Sequence, residues 1–404
     1  MTLTTLAMVG LAVGLDLLFG EPPNQFHPVA WFGRLVGSVE RFVTQWCDER
    51  PIAHEWTDGG RVSDGRMGVQ RVPLMLTDDR SHQVLGVVVA VGLPLVPAAV
   101  AWWIVMGATT IHSMLGIVVA TFVLTLTISI RALLDLTREV LAASVSDLET
   151  ARESVVGLVG RDVDGLSGGE LRSAAVESVA ENFADGVVAT LLPFALLAPI
   201  SLPAAAAAAA WVKGVNTLDS MLGYPSKPIG TASARLDDVV MYLPARISAV
   251  LLALAAVDPV ALYRARRWVR TPASPNSGWP MATIACSVDV RLEKEGAYVL
   301  NPSARLPTVG DGRRAVSIVA LASLLAVVLA GVCALVSPTI AATISPLLDV
   351  LPEWLTSLPE IAELFVESAV KRAETDVSWL VDGFGGVAGI LRRGAVTSWS
   401  GVIH

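Results

Sequence analysis

Three carboxylates recur every four residues in the stretch Glu177-Ser-Val-Ala-Glu181-Asn182-Phe-Ala-Asp185-Gly186. On a helix they share one face, where like charges repel unless a cation or a substrate donor offsets them. A solvated face closed by an Asp-Gly turn is the competing reading. Lys213, Asn216 and Ser220, in KGVNTLDSMLGY, set an ammonium, an amide and a hydroxyl three and four residues apart, a pattern that suits phosphate. A lysine snorkelling to an interface beside a capping asparagine explains the same residues. Asp219 lies in the same stretch.

A third group, Arg235-Leu-Asp237-Asp238 with Arg246 after an apolar patch, pairs adjacent carboxylates with flanking arginines. Neighbouring helical residues point about 100° apart, so Asp237 and Asp238 are expected to meet different partners. Near a membrane, ionisable groups facing a cavity point to function, whereas surface Arg–Asp pairing is the plainer account. Ser274-Pro275-Asn276-Ser277-Gly278-Trp279-Pro280 reads as a rigid turn offering donors. Weaker signals are Gly20-Glu21-Pro22-Pro23 with His27, which could equally be a helix-capping imidazole, and Gly160-Arg161-Asp162, which could be a local ion pair. The sequence contains no Walker loop, GxGxxG, HExxH or GxSxG pattern. Separated carboxylates among Lys, Arg and Asn suit Mg²⁺, which binds through one or two carboxylates plus substrate phosphates.

The elements that must position these groups are apolar. Of 404 residues, 53% are hydrophobic and 16% charged, against roughly 25% charged in a soluble domain. Lipid is therefore the expected solvent, and the expected fold is an all-α polytopic bundle of five to six apolar segments. The runs 84–106, 114–130, 187–211 and 315–336 are long enough to span or nearly so; 3–19 and 247–262 are weaker. No basic residue precedes 3–19, so a retained first helix is expected rather than a cleaved signal.

The stretch 20–82 is polar, carries seven arginines, and reads as an inserted loop over 48–82. Arginines in 20–82, 131–185 and 263–314 place those segments in the cytoplasm, so a multi-pass protein of the cytoplasmic membrane with a cytoplasm-facing site is expected. If 187–211 crosses once, 212–246 falls on the opposite side; Pro193, Pro199 and Pro203 also allow a path that returns it. The domain expected to carry the motifs is 1–336, and 337–404 reads as an interfacial helical extension. The net charge of −8 and the lack of a basic cluster argue against nucleic acid. Cys47, Cys286 and Cys333 form no metal or disulfide pattern and read as buried thiols.

Taken in order, GLDLLFGEPPNQFHPVAWFGRL, GRDVDGL with AAVESVAENFADGVVATLL, KGVNTLDSMLGY, ARLDDVVMYLPARI and SPNSGWPMA resemble the membrane-bound CobD/CbiB cobalamin-biosynthesis family, the adenosylcobinamide-phosphate synthases, over about residues 8–335. Two departures stand out. That family reads AENTSDG where this chain has Phe183 and Ala184, and it carries Glu after GWP where this chain has Met281. The resemblance implies ATP-dependent amide formation between aminopropanol, or its phosphate, and a propionate of the corrinoid adenosylcobyric acid. It also implies Mg²⁺ held by Glu181, Asp185 and Asp237. Lys213, Arg235 and Arg246 would bind phosphate oxygens. Glu177 or Asp238 would serve as base, while Asn182, Asn216, Asp219 and Asn276 orient substrates. His27, Arg161, Asp162 and Ser220 complete the expected substrate contacts. The lipid bilayer is the expected surrounding, and a homo-oligomer or a complex with other pathway proteins is possible. A prenyltransferase, through Asn182-x-x-Asp185 and Asn216-x-x-Asp219, and a transporter using the carboxylates as an ion relay are the rival classes.

Overall fold

The computed structural model describes residues 2–48, 79–158, 163, 165–224 and 227–348. The helices are α1 (Thr2–Phe19), α2 (Pro28–Asp48), α3 (Asp79–Ile111), α4 (Ser113–Thr127), α5 (Ile130–Ser146), α6 (Leu148–Val156), α7 (Gly168–Phe183), α8 (Ala189–Leu197), α9 (Leu202–Leu222), α10 (Thr231–Val240), α11 (Tyr242–Ala255), α12 (Pro259–Ala265), α13 (Gly278–Val288) and α14 (Val309–Leu348). A π-turn, Ala184–Val188, joins α7 to α8. Strands β1 (Leu292–Lys294) and β2 (Tyr298–Leu300) pair antiparallel, Leu292 opposite Leu300. Contacts divide the chain at Pro338/Thr339; in the second unit the described residues, 339–348, are helical.

This is a multi-pass membrane protein. Among the described residues, five stretches are long and apolar enough to cross a bilayer: Thr2–Phe19, Leu85–Ile111, Ser113–Ser146, Gly168–Leu197 and Val309–Thr343. A sixth is the pair α10 and α11, bent by 50°. The expected runs at 114–130 and 315–336 fall within these spans, 84–106 coincides with the second to within a residue at its start, and 3–19 lies in α1. The weaker 247–262 run is replaced by the bent pair. The polar stretch 20–82 is not all loop, because Phe32, Val36, Val39 and Val43 recur at helical spacing and give α2 its buried face. Residues 49–78 and 349–404, which hold most of the expected insertion and tail, lie outside the described residues. Of the cysteines, Cys286 is buried and Cys333 half-buried, both free.

The expected 187–211 span is corrected. The membrane-length helix runs from Gly168 to Leu197, so the Glu177–Asp185 motif lies inside it rather than ahead of it. Breaking the apolar run at 198–201 are Pro199 and Ser201, whose hydroxyl accepts from Ala204 N–H at 3.3 Å, with Pro203 in the first turn of α9. Helix α9 then packs against α8 and α3. Its alanines make that possible: Ala205, Ala206, Ala209 and Ala210 are buried, and Gly214 lies so close to Pro94 that a Cβ there would sit 3.2 Å from its Cα. The start of α7 is fixed by a capping box, with Ser167 N–H donating to Glu170 at 2.7 Å and Glu170 N–H to the Ser167 hydroxyl at 3.4 Å.

Two further contacts lock the motif-bearing elements. Buried Asp16 of α1 accepts Arg131 N–H at 3.0 Å at the start of α5, and that start abuts the π-turn, where a Cβ on Gly186 would come 2.8 Å from Ser129 Oγ. A Cβ on Gly230 would fall 1.6 Å from the Leu222 carbonyl oxygen, so α10 starts directly against the end of α9. Gly230→Ala is therefore expected to lower the thermal midpoint of the detergent-purified protein, at a cost of about 1–3 kcal/mol typical of overpacking, whereas the same change at open Gly10 leaves it in place.

Candidate functional site

Residues 31 positions apart meet across the α8–α9 fold-back. Asn216 Nδ2 of α9 donates to Asp185 Oδ2 at 3.1 Å. Asp185 sits in the π-turn, a widened helical turn often found where function requires an altered side-chain register. From α10, Asp237 comes within electrostatic reach of Asp185, Asp219 and Asp238, with Asn216 beside it. The Oδ1 atoms of Asp219 and Asp237 are buried and have no hydrogen-bond partner. Space around Asp219 is tight: a Cβ on Gly223 would press on the Asp219 carboxylate and come 2.7 Å from the Asp219 carbonyl oxygen.

Lys213 lies one turn before Asn216, within electrostatic reach of both Asp185 and Glu21. His27 is buried, and its Nδ1 accepts Val29 N–H at 3.1 Å at the start of α2. Burial holds its pKa below 6.5, Lys213 adding to the fall and Glu21 opposing it. His27 is thus a helix-start acceptor on the rim of the cluster.

The site is acidic beyond what its own lysine offsets, and its orphaned oxygens are hard anionic donors. Among the described residues no three His, Cys, Asp or Glu side chains converge tightly enough to hold a metal ion alone. Mg²⁺ does not need such a cage, since it usually takes one or two carboxylates and fills its shell with water and phosphate oxygens. The donor set around Asp185 and Asp237 fits that requirement.

A second polar compartment lies along α7. Buried Glu177 accepts from the Tyr298 hydroxyl at 2.7 Å, and the same oxygen is 3.8 Å from Met281 Sδ. The β-hairpin brings Tyr298 there, its three-residue loop relying on Gly296 at φ +69°. Ser173 of α7 holds the hairpin by accepting Glu293 N–H at 2.9 Å. Glu181 lies between the compartments, in reach of Asp185, Glu177 and Lys294. Asn182 turns its amide back to the Ser178 carbonyl at 3.0 Å.

The Ser274–Trp279 loop is tied to the start of the bent span. Asn276 Nδ2 donates to the Asp238 carbonyl at 2.7 Å, and Ser274 Oγ to Asp238 Oδ1 at 3.2 Å. Arg246 donates to Asn276 Oδ1 at 2.8 Å and stacks 3.5 Å from the Tyr242 ring centroid, with Trp279 at 5.4 Å. Asp237 and Asp238 therefore do face different partners, as their adjacency predicts.

Not every expected residue joins. Ser220 is exposed and donates to the Thr217 carbonyl, and Arg235 is exposed on α10. Arg161 and Asp162 lie outside the described residues. Tyr298, Lys294 and Ser173 were not anticipated; the alternation and Glu-Gly turn of RLEKEGAYVL are the signal that carries Tyr298 and Lys294. The departing residues are all buried: Phe183 in the main core, Ala184 against Val212 and Met241, and Met281 beside Tyr298.

The family profile described as CobD/Cbib protein matches residues 9–328. The chain belongs to the CobD/CbiB family. A relative from Geobacter metallireducens, "Cobalamin biosynthesis protein CobD", is 36% identical over 78% of this chain and 89% of its own. One of the same name from Klebsiella pneumoniae is 34% identical over 75% and 86%, and "Probable cobalamin biosynthesis protein CobD" from Methanothrix thermoacetophila is 30% identical over 79% and 93%. No solved structure matches this chain.

Tyr298→Phe removes a donor from a buried carboxylate, so the thermal midpoint is expected to fall, by roughly 1–3 kcal/mol in stability; an unchanged midpoint would show that the Tyr298–Glu177 contact does not hold the hairpin. Because the folded state disfavours protonated His27, it binds fewer protons than the unfolded chain as pH falls through 6.5. Stability from this residue is thus present above pH 6.5 and lost on acidification. His27→Asn, which retains an acceptor for Val29 N–H, is expected to flatten that part of the midpoint-against-pH curve.

Proposed function

We propose that this CobD/CbiB protein acts in cobalamin biosynthesis as an amide-forming enzyme. It would join aminopropanol, or aminopropanol phosphate, to a propionate carboxylate of adenosylcobyric acid at the expense of ATP. The observation that carries the reading is the meeting of Asp185, Asn216 and Asp237, from three separate motifs, with Lys213 beside them.

The reaction poses two problems, since a carboxylate is a poor electrophile and an ammonium is no nucleophile. ATP with Mg²⁺ would supply charge neutralisation and the phosphoryl group that turns the carboxylate oxygen into a leaving group. Asp185 and Asp237, with Glu181 near, would hold the ion. Lys213 and Arg246 would take phosphate oxygens, Arg246 being oriented for it by Asn276 and its aromatic neighbours. Asn216 fixes Asp185, freeing the other oxygen of that carboxylate to act as ligand. Glu177, gripped by Tyr298, or Asp238, gripped by Ser274, would accept the proton the amine loses as the C–N bond forms. Preorganised groups of this kind stabilise developing charge without reorganising.

The fold-back also bears on sidedness. It returns the Lys213–Ser220 motif to the level of Asp185 within the Gly168–Leu197 span, and the arginines of the connecting segments favour a site that opens to the cytoplasm. The domain 1–336 would then carry the whole site.

Detergent-purified protein given adenosylcobyric acid, aminopropanol phosphate, ATP and Mg²⁺ is expected to yield the amide by mass spectrometry, and none without ATP. Asn216→Ala, which unfixes a ligand, is expected to reduce product formation about 10–100-fold, and Asp185→Asn to reduce it further. Full activity of Asp185→Asn would remove the metal assignment, and no product from the unaltered protein where a relative succeeds would remove the reaction.

A further inference from the structure

Helix α2 has three faces: one packs against α9 and α3, and the other two are exposed among the described residues. At 100° per residue, Phe32, Val36, Val39 and Val43 form a strip that clusters with Leu218 and Leu222 of α9 and Val89 and Ala90 of α3. Its one mid-helix acid, Glu40, turns inward to Lys227 at 2.7 Å. Trp31, Leu35, Ser38 and Phe42 fall within a sector of about 60° beside that strip; Trp31 is 49% exposed, Leu35 39% and Phe42 68%. Arg34 and Arg41 line the far edge of this sector and are exposed.

A hydrophobic strip this open in water would be a liability, yet α2 is not among the stretches able to span, because Arg34, Glu40 and Arg41 interrupt it. It follows within eight residues the end of α1, a spanning stretch that itself exposes Leu17, Leu18 and Phe19, and Phe26 in the intervening turn is 64% exposed. The exposed apolar surface of the first span thus continues along the sequence onto α2. An aromatic-bearing strip edged by arginines, with the acid paired away from it, is the pattern of a helix lying in the headgroup region. We propose that α2 lies in the plane of the membrane, with Trp31, Leu35 and Phe42 in the acyl boundary and Arg34 and Arg41 on the phosphates of anionic lipids. Since the neighbouring strip packs on Leu218 and Leu222, this lipid contact would brace the end of α9 that carries Asp219.

The test uses the full chain in nanodiscs of phosphatidylcholine and phosphatidylglycerol, with Cys47 and Cys333 changed to serine and buried Cys286 kept. Nitroxide labels are placed singly at Leu35→Cys, Ser38→Cys, Phe42→Cys and Arg34→Cys, and their collisions with oxygen and with a water-soluble nickel chelate are compared. Labels at 35 and 42 are expected to favour oxygen over nickel several-fold more than the label at 34, with 38 on their side. Nickel access at 35 and 42 equal to that at 34 would place the strip in water. Exclusion of both reagents would mean that protein, such as a second copy of the chain, covers it; either result overturns the proposal.

Discussion

The hydrogen bond from Asn216 to Asp185 is possible because one apolar run turns back on itself. Had residues 187–211 crossed the membrane once, the two motifs would face opposite solvents. Instead the Pro199–Pro203 break reverses the chain, and a face of alanine and glycine lets α9 lie close to α8 and α3. The cluster around Asp185 depends on that approach. The end of α9 seats α10 through Gly230, α10 delivers Asp237, and the Ser274 loop is sewn to Asp238. The cluster gathers carboxylates whose repulsion and burial oppose folding, so the surrounding packing must hold them. Such an arrangement is expected where a cation and a phosphate-bearing substrate complete the charge balance.

Much of this was legible in the sequence. Composition announced the membrane and the helical class, and four-residue spacing identified the acidic face of α7. The arrangement of Lys213 and Asn216, and the different partners of Asp237 and Asp238, also followed from helical geometry. What spacing could not give was the element boundary. An apolar stretch interrupted by prolines reads the same whether it crosses or returns, and the outcome rests on small residues packing against Pro94 and Pro97 from a distant helix. The π-turn left no mark in periodicity, and α2 was hidden by a polar average over 20–82. Tyr298 reaches Glu177 through a hairpin of two three-residue strands, a signal too short to outweigh the helical surroundings.

The three residues at the two departures from the family pattern become intelligible once placed. Phe183 and Ala184 fall on the core side of α7 and of the π-turn, and are buried there, so the lost hydroxyls are replaced by packing. The carboxylate set Glu177, Glu181 and Asp185 is retained around them. Met281 lies 3.8 Å from the Tyr298 hydroxyl that donates to Glu177, so the loop motif and the hairpin meet beside this carboxylate.

The central claim is that Asp185 and Asn216 act as one unit across the fold-back, and a double-mutant cycle on amide formation tests it directly. Rates are compared for the unaltered protein, Asp185→Ala, Asn216→Ala and the double variant. Coupled residues predict that the double variant loses little more than the worse single variant, because the second change removes a partner already idle. Losses that simply multiply would show that the two residues act independently, and that their contact is not what assembles the site.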